Sequence, residues 1–215
     1  MFSFTSLHGC MKYFLTLIAV FLLLTGTARA DGDAYATGMA ALKAKDYQTA
    51  FDILLPLAES GDSKAQYEIG YMYDRGLGRP EDNQMAVPYF RNAAEQGNPR
   101  AQVEMGDYAK WGAGGVEINH QIAFDWYLKA AIQGHPEGYS AMAISYCVGI
   151  GVSPDLLTSL GWYALLFETK SGKVTPTDLN GLCDYNHKRD PGSFFLIQKM
   201  AEQIRNRYAL PTQSF

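Results

Sequence analysis

Apolar and small residues along the chain fall three and four positions apart in short runs, and the runs close at glycines. Ala65, Ile69, Gly70 and Tyr73 are followed by Gly76 and Gly78; Ala86, Tyr89, Phe90, Ala93 and Ala94 are followed by Gly97. Spacings of three and four mark one face of an α-helix, so each pair of runs predicts two amphipathic helices joined by tight turns. The polar positions agree. Asp82 and Asn119 stand just before second helices, where a side-chain oxygen meets a free backbone N–H. Pro99 and Pro136 stand near the starts of first helices, where a missing N–H does no harm. Gly76, Gly112 and Gly149 are expected to end first helices in left-handed caps, and Gly61, Gly97 and Gly134 to end second ones.

The pattern repeats. Ala65-x-x-x-Ile69-Gly70-x-x-Tyr73-x-x-Gly76-x-Gly78 returns 36 residues later at Ala101, Met105, Gly106, Ala109, Gly112 and Gly114. It returns again 37 residues on at Gly138, Met142, Ala143, Tyr146, Gly149 and Gly151. The second halves recur too, YFRNAAEQG (Tyr89 to Gly97) against WYLKAAIQG (Trp126 to Gly134), with Trp162 and Tyr163 surviving in the third unit while Leu166 and Phe167 replace its alanines. Lys129 answers to Asn92, so the charge does not recur. A period in the range of about 20 to 50 residues signals stacked units, each covering its neighbour's core. The expected organisation is a front unit at 31–61, full units at 62–97, 98–134 and 135–170, and a C-terminal cap at 171–215. In that cap Phe194, Phe195, Ile197, Met200, Ala201 and Ile204 read as one apolar side, with Arg205 and Arg207 complementing the helix dipole.

These motifs resemble the Sel1-like repeat family, a branch of the tetratricopeptide superfamily. The resemblance covers roughly 33–169, although the front unit lacks the G-x-G-V loop and looks more like a plain tetratricopeptide unit. It implies an all-α fold, a right-handed α-solenoid of antiparallel helix pairs with C-terminal capping helices and a concave face lined by first helices. Carried over residue by residue, that face would present Tyr35, Lys43, Tyr67, Tyr71, Asp74, Arg75, Val103, Asp107, Lys110 and Trp111. Tyr, Trp and Arg are the side chains best able to anchor a partner segment.

The start of the chain changes the setting. Lys12, the apolar run YFLTLIAVFLLL and Ala28-Arg29-Ala30 read as a secretory signal peptide over 1–30, cut after Ala30, with Met1 and Met11 both open as the start. No stable transmembrane anchor is expected after cleavage, and the protein is expected to be periplasmic or secreted. Removing 1–30 takes Lys12 and Arg29 but no acid, so the net charge of −4 becomes about −6. That mildly acidic surface gives no reason to expect a nucleic-acid partner.

Catalytic signatures are missing. H-E-x-x-H, C-x-x-C, G-x-S-x-G and S-x-x-K do not occur. The G-x-G loops follow no strand and precede no Lys-Ser or Lys-Thr, so they read as turns rather than phosphate cradles. Cys183 and His187 lie four apart, but His120 and His135 are placed beside them by no spacing rule, and no metal or cofactor is expected. Cys147 and Cys183 are one unit, 36 residues, apart. At equivalent points of neighbouring helices they would sit about 8 to 10 Å apart, too far for a bond; the insert at 171–176 can break that register, so free and bonded cysteines both stay open. The expected function is a non-enzymatic scaffold that binds another protein or a peptide segment, in envelope assembly or signalling. The alternatives are a cell-envelope glycan binder or hydrolase using Asp74 and Asp107, and a purely structural spacer.

Overall fold

The computed structural model describes residues 34–171, 175, 179, 182–184 and 193–211. The signal-peptide segment 1–30 and His187 lie outside these residues. Among them there are nine α-helices and no strand. They are α1 (34–43), α2 (Tyr47–Glu59), α3 (Ser63–Asp74), α4 (Asn83–Glu95), α5 (Pro99–Trp111), α6 (His120–Ile132), α7 (Pro136–Val148), α8 (Leu156–Ser171) and α9 (Ser193–Tyr208). Each helix from α2 to α8 packs mainly on its neighbours in the chain, and α5 also touches α7. The result is an all-α solenoid of helix pairs, closed by α9 lying on α8.

Local chemistry starts and stops the helices. Asp46, Asp62, Asp82, Asn98 and Asn119 each accept a hydrogen bond from a backbone N–H of the helix that follows, as at Asp82 to Met85 (3.0 Å) and Asn119 to Ile122 (3.0 Å). Pro99 and Pro136 open α5 and α7. Gly112 and Gly149 are left-handed caps, a conformation that costs a side chain more than a bare Cα. Gly76 differs. The last turn of α3 closes on Arg75, and Gly76 follows it at positive φ.

Within a unit, the two helices meet where the first lacks a side chain. A Cβ on Gly70 would come 2.8 Å from the Phe90 ring, and one on Gly106 closer still to the Tyr127 ring. Gly38 likewise faces Leu54. The third unit has Ala143 at this position, fully buried. Between units the small residues belong to the second helices: Ala93, Ala94, Ala130 and Ala131 are at most 1% exposed. A Cβ on Gly138 would lie 2.5 Å from the backbone nitrogen of Ala131, so α7 rides directly on the α6 backbone.

Two polar devices repeat with the period. The amide of buried Gln66 donates to the carbonyl of Ala58 (3.1 Å) and its oxygen accepts from Gln96 (2.7 Å). One unit later Gln102 donates to Ala94 (3.2 Å) and accepts from Gln133 (2.8 Å). Each glutamine thus ties a first helix to the ends of the second helices on both sides, which satisfies polar groups that burial would otherwise strand. The G-x-G loops make the other joint. Gly78 abuts Tyr47, Gly114 the carbonyl of Asn83, and Gly151 that of His120, each the first residue of the preceding unit's second helix. The loops are therefore inter-unit seats as well as turns.

The buried side chains group across junctions. One set joins Phe51 and Leu54 of α2 to Ile69 and Met72 of α3; the next joins Phe90 of α4 to Ala101 and Met105 of α5; the last runs from Tyr127 through Met142 and Trp162 to Ile197, Ala201 and Ile204 of α9. Burial of this apolar surface against neighbours is the main stabilising term. Phe195 is a correction: it is 70% exposed, because two residues before buried Ile197 it lies on the opposite side of α9. Arg205 does more than complement a dipole, since it pairs with Glu168 and pins α9 to α8.

Cys147 and Cys183 are joined in a disulfide with their Cα atoms 5.8 Å apart. Strict register at a spacing of one unit argues against a bond, and the insert at 171–176 leaves it open. Cys183 instead lies in a short 3-10 turn, Leu182–Asp184, at φ +47°, off the helical register and near enough to reach α7.

Two outcomes are expected. Gly106→Ala should lower stability in urea titration by about 1–3 kcal/mol through overpacking against Tyr127, despite alanine's helix propensity; a more stable variant would refute the contact. Under denaturing, non-reducing conditions Cys147 and Cys183 should yield no reactive thiol, and replacing both with serine should cost about 2–4 kcal/mol.

Candidate binding groove

The first helices α3, α5 and α7 lie side by side, and two pockets open between them. The pocket between α3 and α5, about 210 Å³, is lined by Asp74, Arg75, Glu104, Asp107, Tyr108, Trp111 and Ala113. The pocket between α5 and α7, about 190 Å³, is lined by Val103, Asp107, Lys110, Tyr127, Glu137, Ser140, Ala141, Ile144 and Ile150. Asp107 belongs to both, so the two pockets adjoin across three helices, and together they make up the trough considered below.

Core tyrosines hold its carboxylates. The Tyr108 hydroxyl donates to Asp74 (2.5 Å), which also pairs with Arg75 (3.0 Å). The Tyr127 hydroxyl donates to Asp107 (2.7 Å). Burial first, and then these hydrogen bonds, raise both tyrosines far above the ordinary phenol range, so each stays a donor. Glu104 has no such tether. Burial, followed by repulsion from Asp74 and Asp107, pushes its carboxyl up to about 7, against a smaller opposing pull from Arg75. Among the described residues no three His, Cys, Asp or Glu groups come close enough to hold a metal ion.

Trp111 stands 67% exposed at the α3/α5 pocket, with the Lys110 ammonium 4.5 Å from its ring centre. One unit on, the register puts Val148 at the Trp111 position and Ile144 at that of Asp107; both are exposed, Val148 by 63%. The α3/α5 pocket thus sets Asp74, Glu104 and Asp107 beside Arg75 and Trp111, and the α5/α7 pocket sets Asp107, Glu137 and Lys110 beside the aliphatic Val103, Ile144 and Ile150.

The residues singled out from the sequence divide between this trough and the scaffold. Asp74, Arg75, Val103, Asp107, Lys110 and Trp111 line it. Tyr71 stands beside it, stacked on Tyr67 at 6.2 Å with Arg75 5.7 Å from its ring. Tyr67 itself is only 4% exposed, against Phe90 and under the guanidinium of Arg100 (4.1 Å), so it is part of the packing. Tyr35 is half-buried beside Glu68, and burial pushes it up to about 12, with the Glu68 charge adding to the shift. Glu68 is in turn paired with Arg100 (3.0 Å). Lys43 is exposed near the end of α1, away from both pockets.

Glu104, Tyr108, Tyr127 and Glu137 were not anticipated. A signal existed for three of them. Tyr108 and Tyr127 replace Met72 and Phe90 of the preceding unit, putting a hydroxyl at a repeating core position, and Glu104 repeats Glu68, an acid on a half-buried face.

The sequence pattern of the Sel1 repeat matches residues 63–98, 99–135 and 136–166. Among solved structures the chain is similar to a Sel1 repeat protein from Oxalobacter formigenes, at 25% identity and a TM-score of 0.60 over 83% of this chain and 79% of that one. It is also similar to a protective antigen of uropathogenic Escherichia coli strains displaying an SLR fold, at 28% identity and a TM-score of 0.63 over 74% of this chain. The match spans 34% of that longer antigen. No curated protein matched the sequence.

Glu104 supplies the pH test. Its folded pKa lies above the unfolded value, so the stability it contributes is present below about pH 4.5 and is lost as pH rises through about 7. The stability advantage of Glu104→Gln over the parent should therefore grow from about pH 4.5 to 7 and level off above it, and carboxyl-carbon NMR should show the Glu104 carboxyl titrating near 7; an ordinary Glu104 midpoint would refute the assignment.

Proposed function

The chain carries three consecutive Sel1 repeats, and from that premise we propose a non-enzymatic adaptor, periplasmic or secreted, that takes an extended segment of another protein into the trough along α3, α5 and α7. Sel1 repeats typically serve as scaffolds for protein–protein interaction. The signal-peptide pattern over 1–30 supports the extracytoplasmic setting, and no helix among the described residues is long and apolar enough to cross a membrane. The observation that carries the reading is Trp111, a large apolar side chain left in solvent at the edge of an anchored polar pocket. A segment laid across the trough would bury that indole and satisfy the polar groups beneath it. Aromatic anchors of this kind supply most of the energy of a protein interface.

A second reading has one observation in its favour. Glu104, at about 7, shares a pocket with Asp74 and Asp107 under an exposed indole, a set of groups that a glycan hydrolase would use. Both aspartates are already held by tyrosine hydroxyls, which favours a fixed binding surface over a reacting pair.

Replacing Trp111, Tyr71 and Arg75 together with alanine should weaken capture of a crosslinked envelope partner at least tenfold, about 1.4 kcal/mol, with the helical circular dichroism intact. Undiminished capture would remove the groove from consideration. Peptidoglycan turnover that disappears in both Glu104→Gln and Asp74→Asn would replace the adaptor by the hydrolase.

A further inference from the structure

A further cavity lies away from the trough, toward the C-terminal end of the array. It measures about 470 Å³ and opens to solvent between α7, α8 and α9, where the last repeat meets the terminal helix. Its apolar wall is Trp162, Tyr208, Met200 and Ile204, with the Trp162 and Tyr208 rings 5.7 Å apart. Trp162 is fully buried, and its indole N–H has no acceptor.

The rim carries two opposite charges that do not meet. Asp155 and Arg207 both line the cavity and both are exposed, yet they form no ion pair with each other. The Asp155 carboxylate caps α8, accepting from the Thr158 N–H (3.2 Å) and hydroxyl (2.7 Å). Arg207 rests beside the ring of Tyr208, 5.5 Å from its centre. Tyr146 sits within the field of both. Burial chiefly raises its hydroxyl, and among smaller influences Arg207 lowers it and Asp155 raises it. A cavity with an aromatic wall and separated plus and minus charges at its mouth is complementary to a small zwitterion carrying an apolar side chain.

We propose that this cavity is a binding site for a free α-amino acid with an aromatic or large aliphatic side chain. The ammonium group faces Asp155, the carboxylate faces Arg207, and the side chain lies against Tyr208 and Met200, above buried Trp162. The site is independent of the trough, and it would let a small metabolite fasten α9 to α7 and α8 at the capped end of the array.

The test is calorimetric titration of the full chain with L-phenylalanine and L-leucine, compared with phenylacetate and phenethylamine, which keep one charge each. Saturable binding of at least one amino acid is expected, at least about tenfold tighter than either single-charge probe. Asp155→Asn, which keeps a capping side chain, and Arg207→Gln should each weaken it by about tenfold. In nitrogen-correlated NMR spectra the Trp162 indole signal should move on binding while that of Trp111 stays, which separates this site from the trough. No saturable binding of either amino acid, equal binding of phenylacetate, indifference to both substitutions, or movement of Trp111 instead of Trp162 would each overturn the proposal.

Discussion

Where Gly70 and Gly106 leave the side of a first helix bare, the rings of Phe90 and Tyr127 fill the space at distances that would exclude a Cβ. This contact sets the separation of the helices within a unit, and the alanine seam at Ala93, Ala94, Ala130 and Ala131 sets it between units. Close packing permits few alternatives once both are in place. The same contact reaches the binding surface. The Tyr127 ring that rests on Gly106 carries its hydroxyl to Asp107, the carboxylate shared by the two pockets. Scaffold and site are therefore coupled through one side chain.

No unit owns a complete core, because every buried cluster joins elements on both sides of a unit boundary. Gln66 and Gln102 add a polar clasp at successive junctions, and the glycine loops seat each unit on the one before it. The third unit departs from these rules. Tyr139 stands where the earlier units have the clasping glutamine, Ala143 replaces the central glycine, and the alanine seam becomes Leu166 and Phe167. With the regular joint gone, α9 supplies the missing apolar cover, and the disulfide ties α7 to the turn that precedes it. The cavity walled by Trp162 and Tyr208 exists because this last joint is not the repeating one.

The helices, their caps and their repeat register were legible because each depends on residues a few positions apart. Most of the trough was legible too, since register alone assigns Asp74, Asp107 and Trp111 to first helices. Tyr67 shows the limit: it repeats as Val103 and Ser140 on the same helical face, but the Phe90 ring and the Arg100 guanidinium cover it. Phe195 shows the converse, an apolar residue in an apolar run that a rotation of about two helical steps turns to solvent. Neither outcome is contained in local spacing.

WYLKAAIQG contains both kinds of information. Its small residues, its aromatic pair and its glycine stop determine a helix and the places where that helix can be approached, because those properties follow from side-chain size and backbone freedom. Only the tertiary structure decided that Tyr127 would point its hydroxyl at Asp107 and that Cys183 would leave the helical register to meet Cys147. Those contacts join residues distant in the chain or faces set by packing, and their geometry exists only after neighbouring units have closed on one another.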